Sequence, residues 1–167
     1  MIPALTYEFP VDQLIKAFKL HGRLHVGRLL AELLIDAVNQ RQPRFDLLLP
    51  MPLHPWKRWR RGFNQAELLA EDLGRAMEIP TSRHVLRQVR QTQAMKSLNA
   101  SERRAIITDA FITTQSLAGL RIALIDDVVT TMATANEATR IIKAAGAQSV
   151  TVLCVARTLG TDQTRSE

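Results

Sequence analysis

One segment of this chain, residues 121–137, constrains the fold more than any other part of the sequence. It reads Arg-Ile-Ala-Leu-Ile-Asp-Asp-Val-Val-Thr-Thr-Met-Ala-Thr-Ala-Asn-Glu. The apolar run before the two acidic residues is typical of a strand buried on both faces, as in a parallel sheet. Thr134 and Glu137 fit the capping-box pattern, which predicts a helix that starts just after Thr134. The segment therefore predicts an α/β fold, with a mostly parallel twisted sheet flanked by helices.

The same segment also indicates a ligand. Asp126 and Asp127 end the predicted strand, and ligands of open α/β sheets bind beyond the carboxyl ends of strands. The loop that follows would bring backbone N–H groups and a helix N-terminus to one small volume, which favours a phosphate. Carboxylates beside a phosphate site suit a ligand with vicinal hydroxyls, such as ribose 5-phosphate. The alternative is a solvated strand end, which the mutual repulsion of adjacent carboxylates argues against.

Length and composition restrict the class of protein. A chain of 167 residues with 46% hydrophobic residues predicts one globular domain. No apolar stretch is long enough to span a bilayer and no secretion signal is visible, so we expect no membrane insertion and a cytoplasmic location. The single Cys154 excludes an internal disulfide, and we expect no zinc in this chain. The net charge of +6 favours anionic ligands or nucleic acid.

The remaining elements follow from hydrophobic periodicity. Helices are predicted over residues 11–20, 24–39, 64–77 and 135–145, and strands over residues 44–53, 83–89, 111–114 and 150–156. Asn64 is a candidate N-cap. Residues 90–102 lack clear periodicity and are interpreted as a mobile loop. We expect an N-terminal helical segment packed on the core (1–44), a main domain (45–159) and a polar tail (160–167).

The segment around Asp126 and Asp127 resembles the phosphoribosyl-diphosphate (PRPP) motif of type I phosphoribosyltransferases. The resemblance implies that the two aspartates hold the ribose 2′- and 3′-hydroxyls. It also implies a loop that wraps the 5′-phosphate, formed by Val129, Thr130, Thr131, Met132, Ala133 and Thr134. The family usually has glycine at the position of Met132. If that position needs a positive φ, its side chain costs about 1–2 kcal/mol.

Further blocks extend the resemblance over about residues 7–159, to the ComF/GntX family of competence-associated phosphoribosyltransferase-like proteins. The most specific blocks are Leu49-Pro-Met-Pro-Leu53 and Arg60-Arg-Gly-Phe-Asn-Gln-Ala66. The resemblance implies the type I phosphoribosyltransferase fold with bound PRPP. Mg²⁺ would be held by oxygens of PRPP, with no direct protein ligands. Many members of the family begin with a cysteine-rich zinc ribbon, which this sequence does not contain.

Two basic or polar stretches complete the predicted site. Arg58, Arg60 and Arg61 are interpreted as binders of pyrophosphate or another anion, since arginine forks bind phosphate oxygens in pairs. The alternative is a solvated basic loop, which is the better interpretation for the neighbouring tryptophans. In related transferases a loop closes over the site, and family spacing assigns Arg90, Thr92, Gln93 and Arg103 to that loop and the segment after it. The alternative is an ordinary surface loop, with which the composition of this stretch agrees equally well.

Three functions remain open on this basis. The first is transfer of a phosphoribosyl group with release of pyrophosphate, in which no side chain acts as a nucleophile. The second is a cytoplasmic competence protein that binds single-stranded DNA or other competence proteins, because the family is linked to uptake of DNA. The third is a PRPP sensor without turnover, which the residue at position 132 makes plausible.

Overall fold

The computed structural model describes residues 1–21, 23–53, 59, 62–90 and 109–158. The described strands are β1 (Ile2–Thr6), β2 (Leu47–Pro50), β3 (Leu86–Gln88), β4 (Phe111–Thr113), β5 (Arg121–Val129) and β6 (Ser149–Arg157). The described helices are α1 (Val11–His21), α2 (Leu24–Asn39), α3 (Gln65–Met77) and α4 (Ala133–Ala144). None of these helices is long and apolar enough to cross a membrane.

The main sheet is parallel, with its four strands in the order β1-β6-β5-β2. Strands β3 and β4 form a separate antiparallel ribbon. The predicted α/β architecture is therefore confirmed. Strand β1 was not expected, so residues 1–44 contain a strand as well as two helices. This strand is short and contains Pro3, so the sequence pattern does not indicate it. Proline is tolerated there because β1 is an edge strand that pairs only with β6 in the main sheet.

Apolar side chains cover both faces of this sheet. The core on one face contains residues of α1, α2 and α3, and the core on the other contains residues of α4 and the β3–β4 ribbon. Successive side chains of a strand point to opposite faces. On β5, Ala123 and Ile125 accordingly belong to the first core, and Ile122 and Leu124 to the second. The same alternation determines which face of the sheet Asp126 and Asp127 point to.

Two local predictions near the motif are wrong. Strand β5 continues to Val129, so both aspartates lie inside the strand rather than at its end. Helix α4 begins at Ala133 with Met132 as its N-cap, and none of the described side chains caps it, so the capping box does not form. The carboxylate of Glu137 instead accepts a hydrogen bond from the backbone N–H of Asp109 at 2.8 Å. Glu137 therefore binds the backbone of a residue distant in sequence, Asp109, instead of the nearby Thr134 backbone that the capping-box pattern predicts.

Candidate functional site

A cavity of about 230 Å³ opens at the carboxyl ends of β2 and β5. It is lined by residues 51–53, Gln88, Phe111, Asp126 and residues 128–135. Three separate parts of the chain thus meet here: the segment after β2, the β3–β4 ribbon and the β5–α4 connection. Asp126 and the whole predicted phosphate loop line this one cavity. Its position agrees with the rule that ligands of open α/β sheets bind beyond the carboxyl ends of the strands.

The loop from Thr130 to the start of α4 is arranged to receive an anion. Its backbone N–H groups, at residues 130–135, have no acceptor within the described part of the chain. The first N–H groups of a helix have no partner inside the helix, and the helix dipole makes that end positive. The first bond that closes α4 runs from the Asn136 N–H to the Met132 carbonyl, at 2.7 Å. The free N–H groups before it suit a phosphate.

Met132 adopts the left-handed conformation, with φ of 60° and ψ of −9°. This is the positive φ that glycine adopts without cost, and a side chain there is strained by about 1–2 kcal/mol. The Met132 side chain is partly buried against the second core and also lines the cavity. Its packing therefore offsets part of the strain, and its bulk occupies space beside the loop N–H groups.

The two aspartates point to different sides of β5. Asp126 lines the cavity, whereas Asp127 is not among the lining residues. Asp127 forms an ion pair with Lys19 of α1, with 2.9 Å between Oδ2 and Nζ. Adjacent residues of a strand point to opposite faces of the sheet, so two consecutive aspartates on β5 cannot both face the cavity. This could have been predicted from the sequence alone. The role of both aspartates in holding ribose hydroxyls stays a prediction. Of the two carboxyl groups, only that of Asp126 faces the cavity.

The environment of Asp126 penalises its negative charge. Burial raises the pKa of its carboxyl from 3.8 to about 8, and the adjacent charge of Asp127 adds to this effect, while Lys19 opposes it. Cys154 lies opposite Asp126 on β6, where burial raises the pKa of its thiol to about 12. The thiol is therefore neutral and structural. A carboxylate whose pKa is perturbed beside a cavity is a typical feature of a functional site.

Asn64 fixes the wall of the cavity that residues 51–53 form. Its side chain caps α3 by accepting a hydrogen bond from the Ala66 N–H at 3.1 Å. It also donates a hydrogen bond to the Met51 carbonyl at 3.0 Å, while the Met51 N–H donates to the Ile125 carbonyl at 2.7 Å. The predicted cap is confirmed. The second bond was missed, since nothing in the sequence pairs Asn64 with Met51.

The basic and polar loop residues of the predicted site are mostly beyond what the structure describes. Arg58, Arg60, Arg61, Thr92, Gln93 and Arg103 lie outside the described residues. Arg90 is described and exposed, and its backbone N–H donates to the Ala110 carbonyl at 3.4 Å. The roles of these residues stay predictions. Within the described ranges, no group of three or more His, Cys, Asp or Glu side chains could hold a metal ion.

An ionic cluster that the sequence did not reveal connects Asp109 to α4. Arg140 donates to the Asp109 carboxylate at 2.9 Å and to both carboxylate oxygens of Glu137. Together with the bond from the Asp109 N–H to Glu137, this cluster ties the chain before β4 to the helix whose first turn borders the cavity.

Comparison with characterised proteins finds relatives over nearly the whole chain. Competence protein F of Haemophilus influenzae is 33% identical over 159 residues, covering 90% of this chain and 69% of that protein. The DNA utilization protein YhgH of Salmonella typhimurium is 31% identical over 164 residues, covering 95% of this chain and 72% of that protein. Competence protein ComFC of Streptococcus pneumoniae is 29% identical over 153 residues, covering 91% of this chain and 66% of that protein. No family model matches the chain.

Solved structures with low sequence identity share the fold. Adenine phosphoribosyltransferase from Thermoanaerobacter pseudethanolicus superposes with a TM-score of 0.53 at 17% identity, covering 83% of this chain and 71% of that one. Glutamine PRPP amidotransferase from B. subtilis also has a TM-score of 0.53, at 16% identity, covering 78% of this chain and 26% of that one. The type I phosphoribosyltransferase-like fold is thereby confirmed.

Proposed function

This chain belongs to the ComF/GntX family of competence-associated phosphoribosyltransferase-like proteins, and from that premise we propose that it binds PRPP in the cavity beside Asp126. One observation carries the proposal. A partly buried carboxyl group and a loop whose N–H groups have no acceptor among the described residues line the same cavity, at the carboxyl edge of a parallel sheet. A sugar phosphate needs these two features side by side, because its hydroxyls donate hydrogen bonds and its phosphate accepts them.

The N–H groups of residues 130–135 would hold the 5′-phosphate, assisted by the positive end of the α4 dipole. The Asp126 carboxylate would accept hydrogen bonds from ribose hydroxyls. The diphosphate would extend toward the segment after β2, where Arg58, Arg60 and Arg61 are its predicted partners. Mg²⁺ would enter with PRPP and be held by its oxygens. One cavity-facing carboxylate suits this arrangement, since Mg²⁺ retains waters and binds through substrate phosphates.

The reaction that fits such a ligand is displacement at C1 of the ribose. A nitrogen nucleophile forms a bond to C1 as the bond from C1 to the diphosphate breaks, with inversion, and pyrophosphate leaves with the bonding electrons. No side chain becomes covalently attached. The protein would act by holding the two reactants in line and by stabilising a cationic sugar and an anionic leaving group.

Isothermal titration calorimetry with PRPP and Mg²⁺ tests this proposal. We expect saturable binding that weakens at least about tenfold, or about 1.4 kcal/mol, in Asp126→Asn. Asp72→Asn is the matched control, because Asp72 pairs with Arg75 on the surface of α3. Wild-type protein that shows no binding at millimolar PRPP would refute the proposal.

A second candidate function is binding of single-stranded DNA, favoured by surface charge and by the names of the relatives. The chain carries a net charge of +6. Arg87 and Arg90 are exposed and have no acidic partner within the described part of the chain. Counterion release predicts affinity that falls steeply with salt, with a smaller slope in Arg58→Ala/Arg60→Ala/Arg61→Ala. An affinity for single-stranded DNA that changes neither with salt nor with these substitutions would contradict this second candidate function.

A further inference from the structure

The ion pair between Lys19 and Asp127 lies on the side of β5 that faces away from the cavity. Its nitrogen and oxygen are 2.9 Å apart, and the two side chains keep only 26% and 14% of their exposure. The other carboxylate oxygen of Asp127 accepts a hydrogen bond from the Val128 N–H at 2.6 Å. Asp127 is therefore held on both of its oxygens.

Asp126 is coupled to this pair through the backbone. The carboxylate of Asp126 accepts a hydrogen bond from the Asp127 N–H at 2.8 Å. Two adjacent carboxylates in a partly buried strand repel each other, and one cation close by offsets that repulsion. Lys19 is that cation, and it comes from a helix whose described side chains do not line the cavity.

We propose that Lys19 is a positioning residue of the candidate site: by pairing with Asp127 on the reverse side of β5, it lowers the cost of a negative charge on Asp126, which faces the cavity. The role of Lys19 in ligand binding rests on the proposed function, whereas its electrostatic effect on Asp126 does not. Helix α1 thereby becomes part of the site without touching the ligand.

In the part of the chain that the structure describes, the other charged or titratable groups around Asp126 are few. From β6 come the neutral Cys154 thiol and the exposed Arg157. Strand β2 has no titratable side chain, and α4 opens with Ala133, Thr134, Ala135 and Asn136 before Glu137, which is paired with Arg140. On α3, Glu67 and Glu71 line a different cavity. Among the described residues, Lys19 and Asp127 are therefore the charges that act on Asp126.

The electrostatic effect is measured without any ligand, by carboxyl ¹³C NMR titration of Asp126. In Lys19→Met we expect its pKa to rise by about one unit, since removal of a nearby opposite charge has effects of this size. Lys16→Met is the matched control, because Lys16 lies on the same helix and pairs with Asp12 at 2.7 Å. Lys19→Arg should restore the wild-type value. An unchanged pKa in Lys19→Met, or an equal rise in Lys16→Met, would overturn the inference.

Two further variants separate charge from structure. Lys19→Gln keeps a hydrogen-bond donor to Asp127 without the charge, and we expect the same direction of change as in Lys19→Met. Asp127→Asn removes the repulsion, so the pKa of Asp126 should fall, and adding Lys19→Met to it should have a smaller effect than in the wild type. Equal effects of Lys19→Met in both backgrounds would contradict a role exerted through Asp127.

The consequence for the ligand is a shifted pH profile of PRPP binding with Mg²⁺. We expect the profile of Lys19→Met to move to higher pH by about one unit, which is up to about tenfold weaker binding near neutral pH. Weaker binding by the same factor at every pH would indicate a structural defect and overturn the inference. If no variant binds PRPP, the proposed function fails, while the NMR titration still decides the role of Lys19.

Discussion

Replacing Asp126 with asparagine should stabilise the protein in a way that grows with pH. Burial, with the charge of Asp127, raises the pKa of the Asp126 carboxyl from 3.8 to about 8 in the folded state. Between these values the unfolded chain releases the proton and the folded protein retains it. Stability contributed by the protonated form is therefore complete below about pH 4 and is lost as the pH rises through about 8. Asparagine cannot ionise, and its carbonyl can still accept the hydrogen bond from the Asp127 N–H.

The size of the effect follows from the shift. Each unit of pKa is worth about 1.4 kcal/mol, so the full shift corresponds to about 6 kcal/mol as an upper bound. Asp126 is only partly buried, and screening by solvent reduces this value. We expect Asp126→Asn to be about 1–3 kcal/mol more stable than wild type at pH 8 and equal to it near pH 4. For a chain of this length, that gain corresponds to a rise in Tm of about 2–12 °C.

Thermal unfolding followed by circular dichroism between pH 4 and pH 8.5 measures this difference. Asp46→Asn is a control of opposite sign, because the hydrogen bond from Arg121 lowers the pKa of Asp46. That stabilisation is present above the ordinary pKa of an aspartate and is lost as the pH falls. Asp46→Asn should thus be less stable than wild type at neutral pH, with a difference that shrinks in acid. If Asp126→Asn and wild type have Tm values that change in parallel across the whole range, the reasoning about Asp126 is wrong.

Two other substitutions test the loop and the wall of the cavity. Met132→Gly should change the free energy of unfolding by less than about 1 kcal/mol, because relief of the positive φ offsets lost packing and the entropy of glycine. It should tighten PRPP binding in calorimetry, and unchanged affinity would show that methionine is compatible with full phosphate binding. Asn64→Ala should cost about 2–3 kcal/mol in urea unfolding, since it removes a helix cap and leaves the Met51 carbonyl unpaired. Asn64→Asp keeps the cap but cannot donate to Met51, so a stability equal to that of wild type would show that the second bond is unimportant.

Local sequence patterns predicted most elements of the fold. The apolar run of β5, the helical spacing in α1, α2 and α3, and the cap at Asn64 involve residues close together in the chain, so hydrophobic period and turn chemistry are sufficient to find them. The left-handed conformation at position 132 was likewise suggested by the comparison with a family glycine. The Asp126 cavity follows from the rule that ligands bind at the carboxyl ends of parallel strands.

The features that escaped prediction depend on partners distant in sequence. Strand β1 exists because β6 offers it an edge, and the capping box fails because Glu137 finds Asp109 and Arg140. The side of the sheet taken by Asp127, its neutralisation by Lys19, and the environment that raises the pKa of Asp126 require the packed sheet and helix α1. A chain's own periodicity fixes what each segment can become, but burial and charge pairing arise only when segments meet, so the electrostatics of this site belong to the tertiary structure.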